Sequence, residues 1–213
     1  MKVLIVAGGK PPSLELLKRS IARGYDYIIA ADSGARVLLD HGISFHLIVG
    51  DFDSLDENSR KRIARDQEVI SLETEKDYTD TEAAFHEAVK RGASDILILG
   101  ATGDRQDHFM GNLAILRQAL DQDVKAVLAD DHNQILMTDR SMDIEYQKGW
   151  IPSFFPYGGD VRDFSLLNVK YPLIDHHLKG DSTLTVSNEF LKGPARIEFR
   201  IGTVLVMLAR DKD

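Results

Sequence analysis

Over its first 130 residues the chain alternates short, almost wholly aliphatic runs with stretches of helical periodicity. The runs occupy residues 3–7, 27–31, 46–50, 68–72, 95–100 and 124–129. Several are nearly continuous in Val, Ile and Leu, as parallel strands covered on both faces must be. Helical patterns fall between them at 14–23, 35–40, 57–65, 80–91 and 109–120. The fourth carries Ala84/Ala88 and Phe85/Val89 at i,i+4 spacing, opens on Thr79-x-x-Glu82 as a capping box, and stops at Lys90-Arg91-Gly92. Alternation of this kind predicts an α/β domain built on a doubly wound, mostly parallel sheet.

Beyond about residue 130 the helical period is lost and prolines gather at Pro152, Pro156, Pro172 and Pro194. Ala195, Ile197, Phe199 and Ile201 alternate with Arg196, Glu198 and Arg200, a strand with one wet face. Residues 203–208 follow one glycine later as a more buried strand, and 166–169 and 183–187 have similar texture. This half reads as a small antiparallel β-sandwich. The expected division is therefore 1–130, α/β, and 131–213, β-sandwich.

The charge of −8 argues against a broad phosphate-backbone footprint, so nucleic acid is not an expected partner. A nucleotide needs only a few local cations and a metal. With no cysteine, thiolate metal sites, disulfides and cysteine nucleophiles are excluded. No apolar run approaches the roughly 18 residues of a membrane helix. A cytoplasmic protein without membrane contact is expected.

In open α/β sheets, ligands bind at the carboxyl ends of the strands, and this chain places acids there. Asp32 follows the second run. Asp51 and Asp53 follow the third, in Gly50-Asp51-Phe52-Asp53-Ser54. Two carboxylates two residues apart at a strand break can turn to one hard cation, and Mg²⁺ takes one or two carboxylates with waters and phosphate oxygens. Phe52 between them can anchor the turn. Alternatively Ser54-x-x-Glu57 is a capping box for the next helix, an explanation that leaves Asp51 unused. Asp77 and Asp80, with Lys76 beside them, form a second acidic cluster at a helix start, where they serve either the macrodipole or a second carboxylate wall. The loop at 100–108 carries Arg105, Asp107 and His108 into a helix; its amides and the Arg105 fork suit a phosphate, and an ordinary loop capped by Asp107 is the other reading. Gly8-Gly9-Lys10 lacks the upstream glycine of a Walker loop and is followed by Pro11, and no G-x-G-x-x-G follows a strand. ATP, if handled, is handled with carboxylate-held metal.

The order Ala31-Asp32-Ser33-Gly34-Ala35, Gly50-Asp51-Phe52-Asp53-Ser54, Lys76-Asp77-Tyr78-Thr79-Asp80-Thr81-Glu82, then 100–108 with Asn112, resembles the thiamin pyrophosphokinase family. The match continues through Lys170-Tyr171-Pro172-Leu173, Val186-Ser187-Asn188-Glu189 and Gly202-Thr203-Val204-Leu205, and so covers nearly the whole chain. Two departures are Ser33, where the family often has a second glycine, and the polar Asp104-Arg105-Gln106. The resemblance implies transfer of a diphosphate from ATP to the thiamin hydroxyl, releasing AMP. It implies Mg²⁺ as cofactor, held with the ATP phosphates by the catalytic acids Asp51, Asp53, Asp77 and Asp80. Lys76, Thr79, Arg105, Asp107 and His108 are then ATP-binding, and Ser187 and Asn188 hold thiamin; Asp32 could face either ligand. It implies a homodimer whose thiamin site lies at the subunit interface.

Two rivals fit parts of the pattern. In a haloacid-dehalogenase-like phosphohydrolase, Asp51 is the nucleophile, Asp53 the acid/base, and Gly103-Asp104-x-x-Asp107 the second metal motif. That family's D-x-D normally follows the first strand, whereas three strand candidates reach residue 50 here. A non-catalytic binding protein would use the acidic loops to hold a cation without turnover.

Overall fold

The computed structural model describes residues 1–52, 57–63, 67–73, 75, 77–103 and 105–211. The chain forms two compact units, Met1–Asp131 and His132–Asp213.

The first unit alternates strand and helix throughout. β1 (Lys2–Val6), β2 (Tyr27–Ala31), β3 (Leu47–Gly50), β4 (Glu68–Ser71), β5 (Asp95–Leu99) and β6 (Lys125–Ala129) are joined through α1 (Leu14–Ile21), α2 (Gly34–Asp40), α3 (Glu57–Arg62), α4 (Asp80–Lys90) and α5 (Gln106–Asp121). The strands are all parallel, in the order β4-β3-β2-β1-β5-β6. The pleat sends alternate side chains to opposite faces. Leu4 and Val6, Ile28 and Ala30, Ile48, and Leu97 and Leu99 pack with Leu16 and Leu17 of α1 and Ala35 and Leu38 of α2 in one apolar cluster. The intervening Val3, Ile5, Ile29, Val49, Ile96 and Ile98 are fully buried too, and α4 packs against β1, β2 and β3 through Ala84, Phe85 and Ala88. Burial on both faces is why these strands read as continuous aliphatic runs.

β1 pairs with β2 on one side and β5 on the other. The chain thus winds from β1 out to β4 on one side and then crosses over to β5 and β6 on the other, and the carboxyl ends of β1 and β5 border the crevice where such sheets bind ligands.

The second unit has no helix among its described residues. β7 (Asn133–Thr138), β13 (Val204–Ala209) and β9 (Ile151–Pro156) form one antiparallel layer in the order β7-β13-β9. β11 (Leu173–Leu178), β10 (Val161–Leu167), β12 (Ala195–Glu198) and β8 (Met142–Ile144) form the other. Phe154, Val204, Val206 and Leu208 of the first layer and Phe164, Leu166, Ala195 and Ile197 of the second fill one core, which is a sandwich. Two expectations fail in detail. Residues 183–187 are turn rather than strand: Val186 donates its amide to Thr183 O at 3.2 Å, and Ser187 has φ 56°. Ile201 is exposed, because regular pairing of β12 stops at Glu198 and only an isolated bridge to Arg162 continues it.

Candidate functional site at the sheet switch point

Four strand ends, those of β1, β2, β3 and β5, are brought together by backbone packing. Asp32, just past β2, adopts φ 48° and donates its amide to Val49 O of β3 at 2.8 Å. Gly50 packs so closely on it that a Cβ there would lie 3.2 Å from the Asp32 Cα. Asp32 and Asp51 are therefore neighbours by construction. Phe52 takes φ 62° and packs on the apolar cluster beneath, which turns the chain sharply at the end of β3. Across the crevice, Ala7 donates to Leu99 O at 2.8 Å and Gly9 to Gly100 O at 2.9 Å. A side chain on Gly9 would come within 2.4 Å of that carbonyl, and one on Gly103 within 3.1 Å of the Lys10 amide nitrogen. Only glycine allows two loops to lie this close.

Two helix starts complete the wall. Thr79 caps α4, accepting from the Glu82 amide at 3.1 Å, so Asp80 is the first helical residue. Glu82 does not return the cap as a capping box would; it accepts from Gln118 of α5 at 2.8 Å. α5 starts at Gln106, three residues ahead of the apolar periodicity, with Arg105 at the cap position. Asp107 thus sits in the first turn and is not the cap. Asn112 is buried and donates to Ala101 O at 2.8 Å, tying the loop to its helix. Thr102 donates to Asp130 at 2.6 Å and fixes the loop's other side.

The result is a cavity of about 730 Å³ lined by Asp32, Asp51, Thr79, Asp80, Arg105, His108 and Asn112, together with Gly8, Gly9, Lys10, Tyr78, Gly100 and Gly103. That size suits a small-molecule ligand. Of the residues singled out from sequence, Asp77 is exposed and does not line it. Asp53 and Lys76 lie outside the described residues. Asp107 is exposed and engages Arg105, receiving Nη2 at 2.5 Å and Nε at 3.2 Å. The Arg105 hydrogen bonds pull the Asp107 carboxyl down to about 2, and the carboxylate in turn raises Arg105. In the phosphohydrolase reading Asp107 should meet Asp51; it is absent from the cavity wall, turned to Arg105.

The donor set of Asp32, Asp51 and Asp80 is hard oxygen with no sulfur, which fits Mg²⁺. Among the described residues no three carboxylates or imidazoles close around a point. An open wall of this kind matches a cation that keeps waters and phosphate oxygens in its shell.

Ser187 and Asn188 belong to the second unit. Asn188 is 3% exposed, and its amide is occupied by backbone: Nδ2 donates to Tyr171 O at 2.8 Å, while Oδ1 receives the amides of Tyr171 at 3.1 Å and Glu189 at 2.8 Å. Ser187 donates its amide to Ser153 Oγ at 2.9 Å.

Lys10, Tyr78 and Asn112 also line the cavity, although sequence reasoning gives none of them a binding role. For Lys10 a signal exists, a basic residue closing a glycine pair at the first strand end, but its meaning depends on β5 lying beside β1.

The family model described as thiamin pyrophosphokinase, catalytic domain, matches residues 19–128, and that described as thiamin pyrophosphokinase, vitamin B1 binding domain, matches 140–204. The thiamine pyrophosphokinase of Bacillus subtilis (strain 168) is 32% identical over 215 residues, covering 99% of this chain and 100% of that protein. The crystal structure of the thiamine pyrophosphokinase from Bacillus subtilis superposes with a TM-score of 0.90 at 32% identity, covering all of both chains. That of the enzyme from Geobacillus thermodenitrificans gives 0.86 at 30% identity, covering 100% of this chain and 99% of the other. No helix among the described residues is long and apolar enough to cross a membrane.

Proposed function

The chain belongs to the thiamin pyrophosphokinase family, and on that premise we propose that it transfers a diphosphate group from ATP to the hydroxyl of thiamin, giving thiamin diphosphate and AMP. The observation that carries the reading is the meeting of Asp32, Asp51 and Asp80 with Lys10 and Arg105 on one cavity at the sheet switch point. Attack of an alcohol on the β-phosphorus concentrates negative charge on phosphate oxygens, and catalysis of such a transfer is chiefly alignment and electrostatic stabilisation. Asp51 and Asp80 would hold Mg²⁺, with Asp32 beside them and Asp53 and Asp77 as the further acids of the motif. Bound there, the ion would neutralise charge on the phosphates.

The chain's own contribution is orientation. The glycine turns after β1 and β5 let phosphate oxygens approach the backbone closely. Arg105 offers a planar fork at the cavity mouth, prealigned by Asp107. Thr79 holds the start of α4, and with it Asp80, in place. In the sandwich, Ser187 would present the thiamin-recognising segment, and a homodimer would complete the site from the partner subunit.

Purified protein incubated with ATP, Mg²⁺ and thiamin should yield AMP and thiamin diphosphate in equal amounts. ADP with thiamin monophosphate, or no thiamin product, would overturn the proposal.

A further inference from the structure

We propose that Lys10 contacts the metal-proximal phosphates of the bound nucleotide, those beyond the α-phosphate, and so distinguishes ATP from AMP in this cavity. The inference rests on the reading of the cavity as an ATP site and adds to it a named recognition residue.

Three observations converge on Lys10. The first is the rigidity of its backbone. Gly9 is hydrogen bonded to Gly100 O at 2.9 Å, the Lys10 amide nitrogen abuts Gly103, and Pro11 and the buried Pro12 follow. Ser13 then caps α1, accepting from the Leu16 amide at 3.1 Å, and its own amide is held by Asp131 at 2.9 Å. Little backbone entropy is left to lose on binding.

The second is charge. Among the described residues lining the cavity, the basic side chains are Lys10, Arg105 and the imidazole of His108, against the carboxylates of Asp32, Asp51 and Asp80. Arg105 is already paired to both oxygens of Asp107. Lys10 is exposed and makes no ion pair among the described residues. Its ammonium is a compact, strongly hydrated point charge, suited to phosphate oxygens.

The third is placement. The loop that carries Lys10 begins at Gly8, against the acidic wall: a Cβ on Gly8 would stand 3.4 Å from Asp32 Oδ2, and Ser33 Oγ donates to Gly8 O at 3.2 Å. Lys10 thereby lines the same cavity as the carboxylates that would carry metal, where the β- and γ-phosphates would lie. AMP has lost both, so a group that touches only them favours the substrate and does not retain the product.

The test is direct binding of ATP and of AMP, each with Mg²⁺, by calorimetry to the full-length wild type, Lys10→Met and Lys10→Arg. Loss of one charge-assisted contact should weaken ATP about 10- to 100-fold in Lys10→Met, leave AMP within about twofold of wild type, and be largely reversed in Lys10→Arg. Unchanged ATP affinity, or an equal loss for both nucleotides, would refute the assignment. Failure of the wild type itself to bind ATP would overturn the ATP reading and this inference with it, a result distinct from either.

Discussion

The Gly9 amide donates to the Gly100 carbonyl at 2.9 Å, joining the loops that leave β1 and β5 across the switch point. The hydrogen bond fixes the cavity floor, and it needs glycine on one side because a Gly9 Cβ would stand 2.4 Å from the acceptor oxygen. The neighbour is backbone and cannot swing away as a side chain would. Gly9→Ala should therefore cost about 1–3 kcal/mol of stability, read as a lower urea midpoint, and should reduce activity further by displacing Lys10. A variant as stable and active as wild type would show that the loops have slack.

Asp51 is half-buried at a strand end and is not part of the apolar core. Asp51→Asn keeps its size and removes its charge. AMP release should fall at least about 100-fold, while the melting temperature stays within about 2 °C. Activity that survives the change would remove Asp51 from the metal wall.

Much of the α/β half is legible in the sequence because parallel strands buried on both faces leave unbroken aliphatic runs; the 27–31 run is β2 to the residue. Strand order is not legible, since no local pattern records that β5 pairs with β1. That pairing alone turns Gly8-Gly9-Lys10 from an imperfect Walker motif into a cavity wall. The early start of α5 is hidden for a different reason: Gln106, Asp107 and His108 are polar and exposed, so they add nothing to the apolar period. Asp77 and Asp80 look equivalent in sequence. The Thr79 cap separates them, placing Asp80 on the first turn and on the cavity while Asp77 faces solvent. In the sandwich, alternation at 183–187 imitates a strand, but Ser187 in the left-handed region cannot continue one.

The Arg105–Asp107 pair gives a pH signature. Arg105 holds the Asp107 carboxyl at about 2, below the ordinary 3.8. A carboxyl lowered on folding contributes its stabilisation above the unfolded value and loses it as pH falls through the folded one. The pair should stay formed at neutral pH and come apart only between about pH 4 and 2. Carbon-detected NMR titration should place the Asp107 midpoint near 2, and Arg105→Gln should return it toward 3.8. A midpoint that does not move in that variant would mean the pair does not form in solution.

The family resemblance assigns Asn188 to thiamin, yet its side-chain amide spans the Tyr171 backbone, receiving its N–H and donating to its C=O. Removing the amide leaves those groups unpaired around a buried site, at about 1–3 kcal/mol. Asn188→Ala should therefore lower stability, measured by denaturant titration, whether or not thiamin is present. Ser187→Ala leaves every backbone bond of the turn intact and should be nearly neutral for folding. Asn188→Asp keeps the acceptor and loses the donor, so it should fall between the two. If instead Asn188→Ala folds as stably as wild type and only thiamin affinity drops, the residue contacts the vitamin and its hold on Tyr171 is incidental. Because Tyr171 is 56% exposed and Lys170 stands 5.3 Å over its ring, paired to Glu189 at 2.6 Å, a loss of Asn188 should also free this surface group. Tyrosine ring resonances of Asn188→Ala should shift toward those of an unstructured peptide, a change that loss of a ligand contact alone would not produce.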